Sequence, residues 1–143
     1  MAISVSIDLG YEFAVKAPAS EVFAVLSDVP ASASHFPKVD KLVDLGGNVY
    51  RWEMEKIGVA QIKLQTVYAC KYVSNKTKGS VIWTPVVGEG NAQVSGSWKI
   101  TDRKKSTHLV LAIQGELSLP LPGMMKMVEK YIDNLTAHFG GEV

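Results

Sequence analysis

The C-terminal stretch, residues 121–139, is the long segment of this sequence in which apolar residues follow a helical repeat. Its main apolar row recurs at steps of three and four, the spacing of one face of an α-helix, and consists of Met125, Val128, Ile132, Leu135 and Phe139. A second row beside it consists of Met124, Met127 and Tyr131. About 19 residues at ~1.5 Å each predict a rod of roughly 28 Å. Such a helix needs an apolar surface, which the preceding residues must supply.

Most of the preceding sequence has the alternation of apolar and polar residues that is typical of half-buried strands. The alternating segments are residues 4–15, 39–45, 49–56, 60–72, 80–86, 92–100 and 109–119. Tight turns such as Gly46-Gly47-Asn48 separate successive segments, and short connections of this kind join antiparallel neighbours. The pattern therefore predicts an antiparallel sheet of about seven strands.

A short helix is predicted between the first two strands. Pro18 suits a first helical residue, and Val22, Leu26 and Val29 recur along one side of a helix that should end by Pro30. One or two further helical turns are expected before residue 37, a second proline. The fold class is thus α+β, a single domain of residues 1–143 in which a curved sheet surrounds the long terminal helix. A rod lying in a curved sheet leaves space beneath it, and that space is the expected functional site.

Composition excludes several classes of function. Fifteen Lys and Arg residues balance 14 Asp and Glu residues, so nucleic acid is not an expected partner. Cys70 is the single cysteine, and neither a signal peptide nor a transmembrane segment is evident, which favours a cytoplasmic protein. His35, His108 and His138 lie far apart in sequence, and no ligand spacing occurs, so neither a metal site nor a cofactor is expected.

The candidate ligand-binding residues are those on the apolar faces that should point beneath the helix. They are Tyr11, Phe13, Trp52, Met54, Leu64, Thr66, Tyr68, Trp83, Trp98, Leu111, Ile113, Met124, Met127 and Tyr131. The hydroxyl groups among them are suited to orient a ligand carbonyl or hydroxyl. Sequence alone leaves open whether each Met and Trp lines a cavity or fills a core, and whether each Tyr finds a backbone partner instead. His35 and Tyr68 are weak catalytic candidates, although an exposed loop position is an equally plain interpretation of His35.

The segment Ala17-Pro-Ala-Ser-Glu-Val-Phe-Ala-Val-Leu-Ser-Asp28-Val-Pro, within this order of elements, resembles the START-like superfamily with its helix-grip fold. Polyketide cyclases, plant pathogenesis-related class 10 proteins and lipid-transfer domains belong to that superfamily. The spacing from Phe36-Pro-Lys-Val to Gly-Gly-Asn-Val-Tyr is similar to that of the G-type subunits of bacterial carbon monoxide dehydrogenase. Those subunits commonly have Cys-Leu-Pro-Gly-like residues where this chain has His35-Phe36-Pro37-Lys38. The resemblance implies a deep apolar cavity for a hydrophobic small molecule, without implying one chemistry.

The favoured interpretation is binding or transport of a lipid, isoprenoid or polyketide-like molecule between the sheet and the C-terminal helix, without catalysis. One alternative is a polyketide cyclase or dehydratase that uses tyrosine hydroxyls and His35 as general acid–base groups. Another is an accessory protein of a carbon monoxide dehydrogenase-type complex. Besides the small-molecule ligand, a homodimer or a docking partner is left open, and the sequence does not name the ligand.

Overall fold

The computed structural model describes residues 5–59, 62–117 and 121–143. In chain order its elements are β1 (Val5–Val15), α1 (Ala19–Leu26), α2 (Val29–Ala33), β2 (Val39–Gly46), β3 (Val49–Met54), β4 (Ile57–Val59), β5 (Ile62–Leu64), β6 (Val67–Asn75), β7 (Ser80–Pro85), β8 (Gln93–Asp102), β9 (Thr107–Leu117) and α3 (Leu121–His138). The predicted order of strand, short helices, strands and long terminal helix is confirmed.

The main sheet has seven strands in the order β1-β9-β8-β7-β6-β3-β2, and every neighbouring pair is antiparallel. β1 pairs with β9 along its whole length, from Val5 opposite Leu117 to Val15 opposite Thr107. The first and last strands thus lie side by side. The predicted α+β class, with a curved antiparallel sheet and a long C-terminal helix, is confirmed as a helix-grip fold.

The prediction of one continuous strand over residues 60–72 is wrong. β4 and β5 form a separate two-stranded sheet, and β6 starts only at Val67. At the break, Met54 N–H donates to the Thr66 carbonyl at 3.0 Å, and the Gln65 amide donates to the Met54 carbonyl at 3.0 Å. Leu64 lies beyond this junction with its side chain 56% exposed, because the small hairpin has left the surface that the main sheet covers.

Two short helices replace the first predicted one. α1 ends at Leu26, where the Ser27 hydroxyl donates to the Phe23 carbonyl at 2.7 Å. The Asp28 carboxylate then accepts from Ala31 N–H at 3.3 Å and caps α2. Val29, predicted on the apolar side of the first helix, therefore lies in the second. The break occurs because side chains at both positions hydrogen-bond local backbone groups that a continuous helix would use.

The buried face of α3 differs from the predicted main row. Its buried residues are Met124, Val128, Tyr131, Leu135 and Phe139, whereas Met125 is 38% exposed and Ile132 is half-buried. The apolar arc is wider than one row, so the sequence does not determine which edge of the arc faces inward. Packing against the sheet selects the edge that contains Met124 and Tyr131.

The C-terminal end of α3 is fastened to the end of β1. Ala17 N–H donates to the Phe139 carbonyl at 3.0 Å, and Lys16 N–H donates to the Gly141 carbonyl at 3.1 Å. The buried Thr107 hydroxyl donates to the Ala17 carbonyl at 2.7 Å. These bonds hold the last turn of the helix across the ends of β1 and β9. None of the described helices is long and apolar enough to span a membrane.

Candidate functional site

A cavity of about 50 Å³ lies between the sheet, the two short helices and α3. Its lining is mostly apolar, and every layer of the fold contributes to it. The lining residues are Leu26, Val29, Ser32, Phe36, Trp52, Tyr68, Tyr72, Val81, Trp83, Val94, Trp98, Leu111, Ile113, Met124 and Tyr131. The space predicted beneath the terminal helix is thus present.

Aromatic rings form much of the cavity wall. The Trp52 and Tyr68 rings are stacked, with centroids 5.9 Å apart and planes 12° from parallel. Phe36 meets Trp52 edge-on at 5.8 Å and Tyr131 at 5.0 Å, and Trp98 lies 6.1 Å from Tyr131. Offset and edge-on arrangements are the ones that aromatic quadrupoles favour. The wall therefore offers flat apolar faces suited to a planar or ring-containing molecule.

Strand register brings these rings together. Trp52 on β3 lies opposite Tyr68 on β6, and Trp83 on β7 lies opposite Gly96 on β8. A Cβ atom at position 96 would overlap the Trp83 indole and the backbone of the neighbouring strand β9. Glycine at this position therefore makes the room that the Trp83 ring occupies.

Two pairs of polar groups in the cavity wall satisfy each other. The Ser32 and Tyr131 hydroxyls are hydrogen-bonded at 2.5 Å, which joins α2 to α3. The Trp52 indole N–H donates to the Tyr72 hydroxyl at 2.9 Å, which joins β3 to β6. Both pairs hold the wall in place and leave its surface chiefly apolar.

The Tyr68 hydroxyl is different, because within the described residues no hydrogen bond to it is found. The residue lines the cavity and is only 7% exposed. Every fully enclosed side-chain nitrogen or oxygen among the described residues has a partner, which agrees with a Tyr68 oxygen that faces open space. A buried hydroxyl without a partner costs about 1–3 kcal/mol by protein mutational data. The cavity therefore contains one polar group whose hydrogen-bonding capacity the described protein groups do not use.

The tyrosines of the cavity are neutral at physiological pH. Burial raises the pKa of Tyr131 to about 12, although its hydrogen bond with Ser32 partly offsets the effect. Burial also raises the pKa values of Tyr68 and Tyr72 well above the usual tyrosine range. Among the described lining residues, none is an Asp, Glu, His, Lys or Arg. The site therefore offers hydroxyl donors and acceptors without a group that changes charge near neutral pH.

Cys70 lies fully buried beside this region and is not a nucleophile candidate. Its thiol donates to the Val94 carbonyl at 3.2 Å, and burial raises its pKa to about 12. Thiolate is the reactive form of cysteine, so a raised pKa suppresses its reactivity. In the part of the chain that the structure describes, no group of three or more potential metal ligands occurs.

Eight of the fourteen candidate ligand-binding residues line the cavity. They are Trp52, Tyr68, Trp83, Trp98, Leu111, Ile113, Met124 and Tyr131. For Met124 and these rings, the structure therefore favours a position at the cavity wall over a purely core position. Whether they contact a ligand remains a proposal.

The other six candidates lie elsewhere. Phe13 packs edge-on behind Trp98 at 6.0 Å, and Met54 and Thr66 are buried outside the cavity lining. Tyr11 and Met127 are half-buried and do not line the cavity, and Leu64 is on the separate hairpin. Alternation correctly assigned a face to most of these residues, but a face is longer than the cavity that it covers.

His35, the candidate for a titrating group, does not line the cavity. Its ring lies against that of His138, with centroids 4.8 Å apart, and its carbonyl accepts from the Asn134 amide at 2.8 Å. Burial, followed by the neighbouring His138, lowers the pKa of His35. The second weak catalytic candidate, Tyr68, does line the cavity, but as a neutral phenol.

Seven lining residues were absent from the candidates: Leu26, Val29, Ser32, Phe36, Tyr72, Val81 and Val94. For some of them the sequence contains a signal, since Leu26 and Val29 lie on the apolar side of the short helices, and Tyr72 continues the alternation of its strand. Ser32 and Phe36 have no such signal, because the short segment that contains them has no long period. Their place in the wall depends on contacts with Tyr131, almost a hundred residues later in the chain.

The family described as polyketide cyclase / dehydrase and lipid transport has a sequence model that matches residues 6–139. No curated protein matches the sequence. Among solved structures, the Zhui aromatase/cyclase from a Streptomyces species is 16% identical, with a TM-score of 0.61 and coverage of 93% of this chain and 90% of that one.

Two further similar structures come from a mycobacterium and a plant. A START superfamily protein from Mycobacterium smegmatis is 17% identical, with a TM-score of 0.67 and coverage of 93% of this chain and 97% of that one. The ginseng major latex-like protein 151 from Panax ginseng is 13% identical, with a TM-score of 0.66 and coverage of 94% and 97%. At these identities the likeness concerns the fold.

Proposed function

Because this chain belongs to the polyketide cyclase / dehydrase and lipid transport family, we propose that it binds a neutral small molecule in the cavity between the sheet and α3. The molecule has a flat apolar body and a carbonyl or hydroxyl oxygen. Burial of apolar surface, at about 25 cal/mol per Å², supplies most of the affinity. The protein acts as a carrier or receptor for this molecule rather than as an acid–base catalyst.

The observation that carries this proposal is the Tyr68 hydroxyl, which has no hydrogen bond within the described residues and lies in an aromatic, otherwise apolar wall. Ligand sites are typically apolar cavities with a few polar groups that fix orientation. A ligand oxygen that accepts from Tyr68 satisfies a buried donor, and so it gains more than a hydrogen bond formed at the surface. The hydroxyl therefore selects ligands with an acceptor at one position of a flat apolar body.

The cyclase or dehydratase alternative has support from the family description and from the fold of the Zhui aromatase/cyclase. General acid–base catalysis, however, works best with a group whose pKa lies near the operating pH. The described lining residues offer tyrosines with raised pKa values, and His35 lies outside the lining. Binding without catalysis is therefore the better supported function.

The accessory-protein alternative stays a prediction based on the resemblance of one segment. The outer face of the sheet carries Val73 and Ile82 directly opposite each other, 58% and 46% exposed. Two such side chains make a small apolar area, whereas stable interfaces bury roughly 800 Å² on each partner. We therefore keep the cavity as the principal site.

The test combines ligand extraction with probe binding. Mass spectrometry of an organic-solvent extract of the purified protein should reveal a bound neutral compound. Prodan, a neutral naphthalene ketone, should bind and quench the fluorescence of Trp52, Trp83 and Trp98, all of which line the cavity. Loss of one hydrogen bond at about 1.4 kcal/mol predicts ~10-fold weaker prodan binding by Tyr68→Phe.

Tyr11→Phe is the matched control, because this change also removes one tyrosine hydroxyl but at a residue outside the cavity lining. Its affinity for prodan should equal that of the wild type. Equal affinities for all three proteins would reject the role of the Tyr68 hydroxyl, and failure of the wild type to bind either prodan or any extractable compound would reject the proposed function.

A further inference from the structure

A surface groove of about 390 Å³ lies on the other side of Phe36 from the cavity. It runs between α2 and the β2–β3 hairpin, and its lining includes Pro30, Val39, Leu42, Asp44 and Tyr50. Phe36 lines both spaces. We propose that the groove is the outer half of the ligand site and that rotation of Phe36 joins it to the cavity, an inference that rests on the proposed function.

The volume of the inner space requires such an extension. Fifty cubic ångströms hold a few water molecules, at roughly 10–15 Å³ each. Sites for drug-sized ligands usually span about 300–1,000 Å³. A flat ring system with substituents therefore does not fit the closed cavity, and the adjoining groove supplies the missing space.

The backbone on both sides of Phe36 is held in place, so its side chain is the part that can move. Phe36 N–H donates to the Ala33 carbonyl at 2.9 Å, and the Lys38 carbonyl accepts from Glu55 N–H at 2.8 Å. The phenyl ring itself is held by its aromatic contacts with Trp52 and Tyr131. Rotation of the ring therefore separates weak contacts and breaks no hydrogen bond.

Another part of the wall is a less suitable opening. Val29 and Tyr72 also line a second surface groove as well as the cavity. The Tyr72 hydroxyl, however, accepts from the Trp52 indole at 2.9 Å, and Val29 belongs to the first turn of α2. Opening at that point would break a hydrogen bond or move a helix. Phe36 is the side chain that can move at the lowest cost.

The groove also bears on the charge of the ligand. Asp44 is the charged residue among its described lining residues, and its carboxylate is fixed by accepting from Gly46 N–H at 2.8 Å. An anionic group in the groove would lie near this carboxylate and be repelled. The outer part of the ligand is therefore neutral, which is the reason to use prodan rather than an anionic naphthalene dye as the probe.

The experiment measures prodan association by stopped-flow fluorescence with wild type, Phe36→Ala and Phe36→Leu. If the ring is the barrier, its removal should raise the association rate constant by ~10-fold, and the shorter Leu should give an intermediate value. Phe23→Ala is the matched control, because Phe23 is half-buried on α1 and lines neither the cavity nor this groove. Urea unfolding checks that each variant is folded.

Occupation of the groove is tested separately by the equilibrium affinity of Leu42→Asn, which places an amide in the groove wall. This change should weaken prodan binding several-fold, and an unchanged affinity would overturn the assignment of the groove. Binding by Phe36→Ala when the wild type binds nothing detectable would also support a barrier at Phe36. Equal association rates for wild type and both Phe36 variants would reject the barrier and leave the proposed function standing. Absence of binding by every protein would reject both.

Discussion

The two tyrosine hydroxyls that face the cavity should respond oppositely to removal. Tyr131 is hydrogen-bonded to Ser32 in the buried contact between α3 and α2. Tyr68 has no hydrogen bond within the described residues. Both side chains are 7% exposed, so a change from Tyr to Phe removes one oxygen atom from a similar degree of burial. The pair therefore isolates the effect of the hydrogen-bond partner.

The magnitudes follow from what each substitution leaves behind. Tyr131→Phe deprives the buried Ser32 hydroxyl of its partner, and an orphaned buried group costs about 1–3 kcal/mol. Tyr68→Phe leaves no described group unpaired, and it removes a hydroxyl whose burial is itself unfavourable. We expect Tyr131→Phe to lower the unfolding free energy by ~1–3 kcal/mol and Tyr68→Phe to change it by less than ~1 kcal/mol in either direction.

Urea unfolding followed by tryptophan fluorescence measures both values, provided that the slope of the transition is unchanged. Ser32→Ala completes the comparison, because the double variant with Tyr131→Phe should lose little more than either single variant. A loss for Tyr68→Phe as large as that for Tyr131→Phe would mean that the Tyr68 hydroxyl has a protein partner. That result would refute its availability to a ligand.

Three further substitutions test other parts of the structure. Leu135→Ala, at a fully buried position of α3, should lower the unfolding free energy by about 2–5 kcal/mol in urea. Gly96→Ala should lower it by ~1–3 kcal/mol and shift tryptophan emission, because the new methyl group overlaps the Trp83 indole. The lowered pKa of His35, due to burial and then to His138, means that the unfolded chain binds the proton first as the pH falls. Stability should therefore decrease from about pH 7 to about pH 5, and less so in His35→Gln, as measured by urea unfolding at both pH values.

The sheet could be predicted from the sequence because one face of each strand is apolar and the other polar. That contrast gives the period of two its meaning. The prediction failed between Leu64 and Tyr68, where alternation continues through residues that leave the main sheet. Alternation records which residues share a side of the backbone, and it does not record whether the chain pairs with the sheet or folds into a small hairpin.

The cavity wall was only partly predictable for a related reason. Strand positions such as Trp98 and Leu111 followed from the alternation, and they do line the cavity. Phe36 did not, because its position depends on rings that come from β3 and α3 rather than on its neighbours in sequence. Met127 was overvalued for the opposite reason, since its place on the helix was known but the rotation of the helix was not.

Hydroxyl pairing explains how one type of side chain serves two purposes in this cavity. The Tyr131 and Tyr72 hydroxyls are engaged with Ser32 and Trp52, and these pairs tie helix to helix and strand to strand. The Tyr68 hydroxyl makes no such tie within the described residues, so its removal should leave the wall intact. Selectivity for a ligand oxygen therefore depends on one position rather than on the number of tyrosines. A chain with phenylalanine at position 68 should keep the cavity and its affinity for apolar rings, while losing the preference for molecules that carry an acceptor.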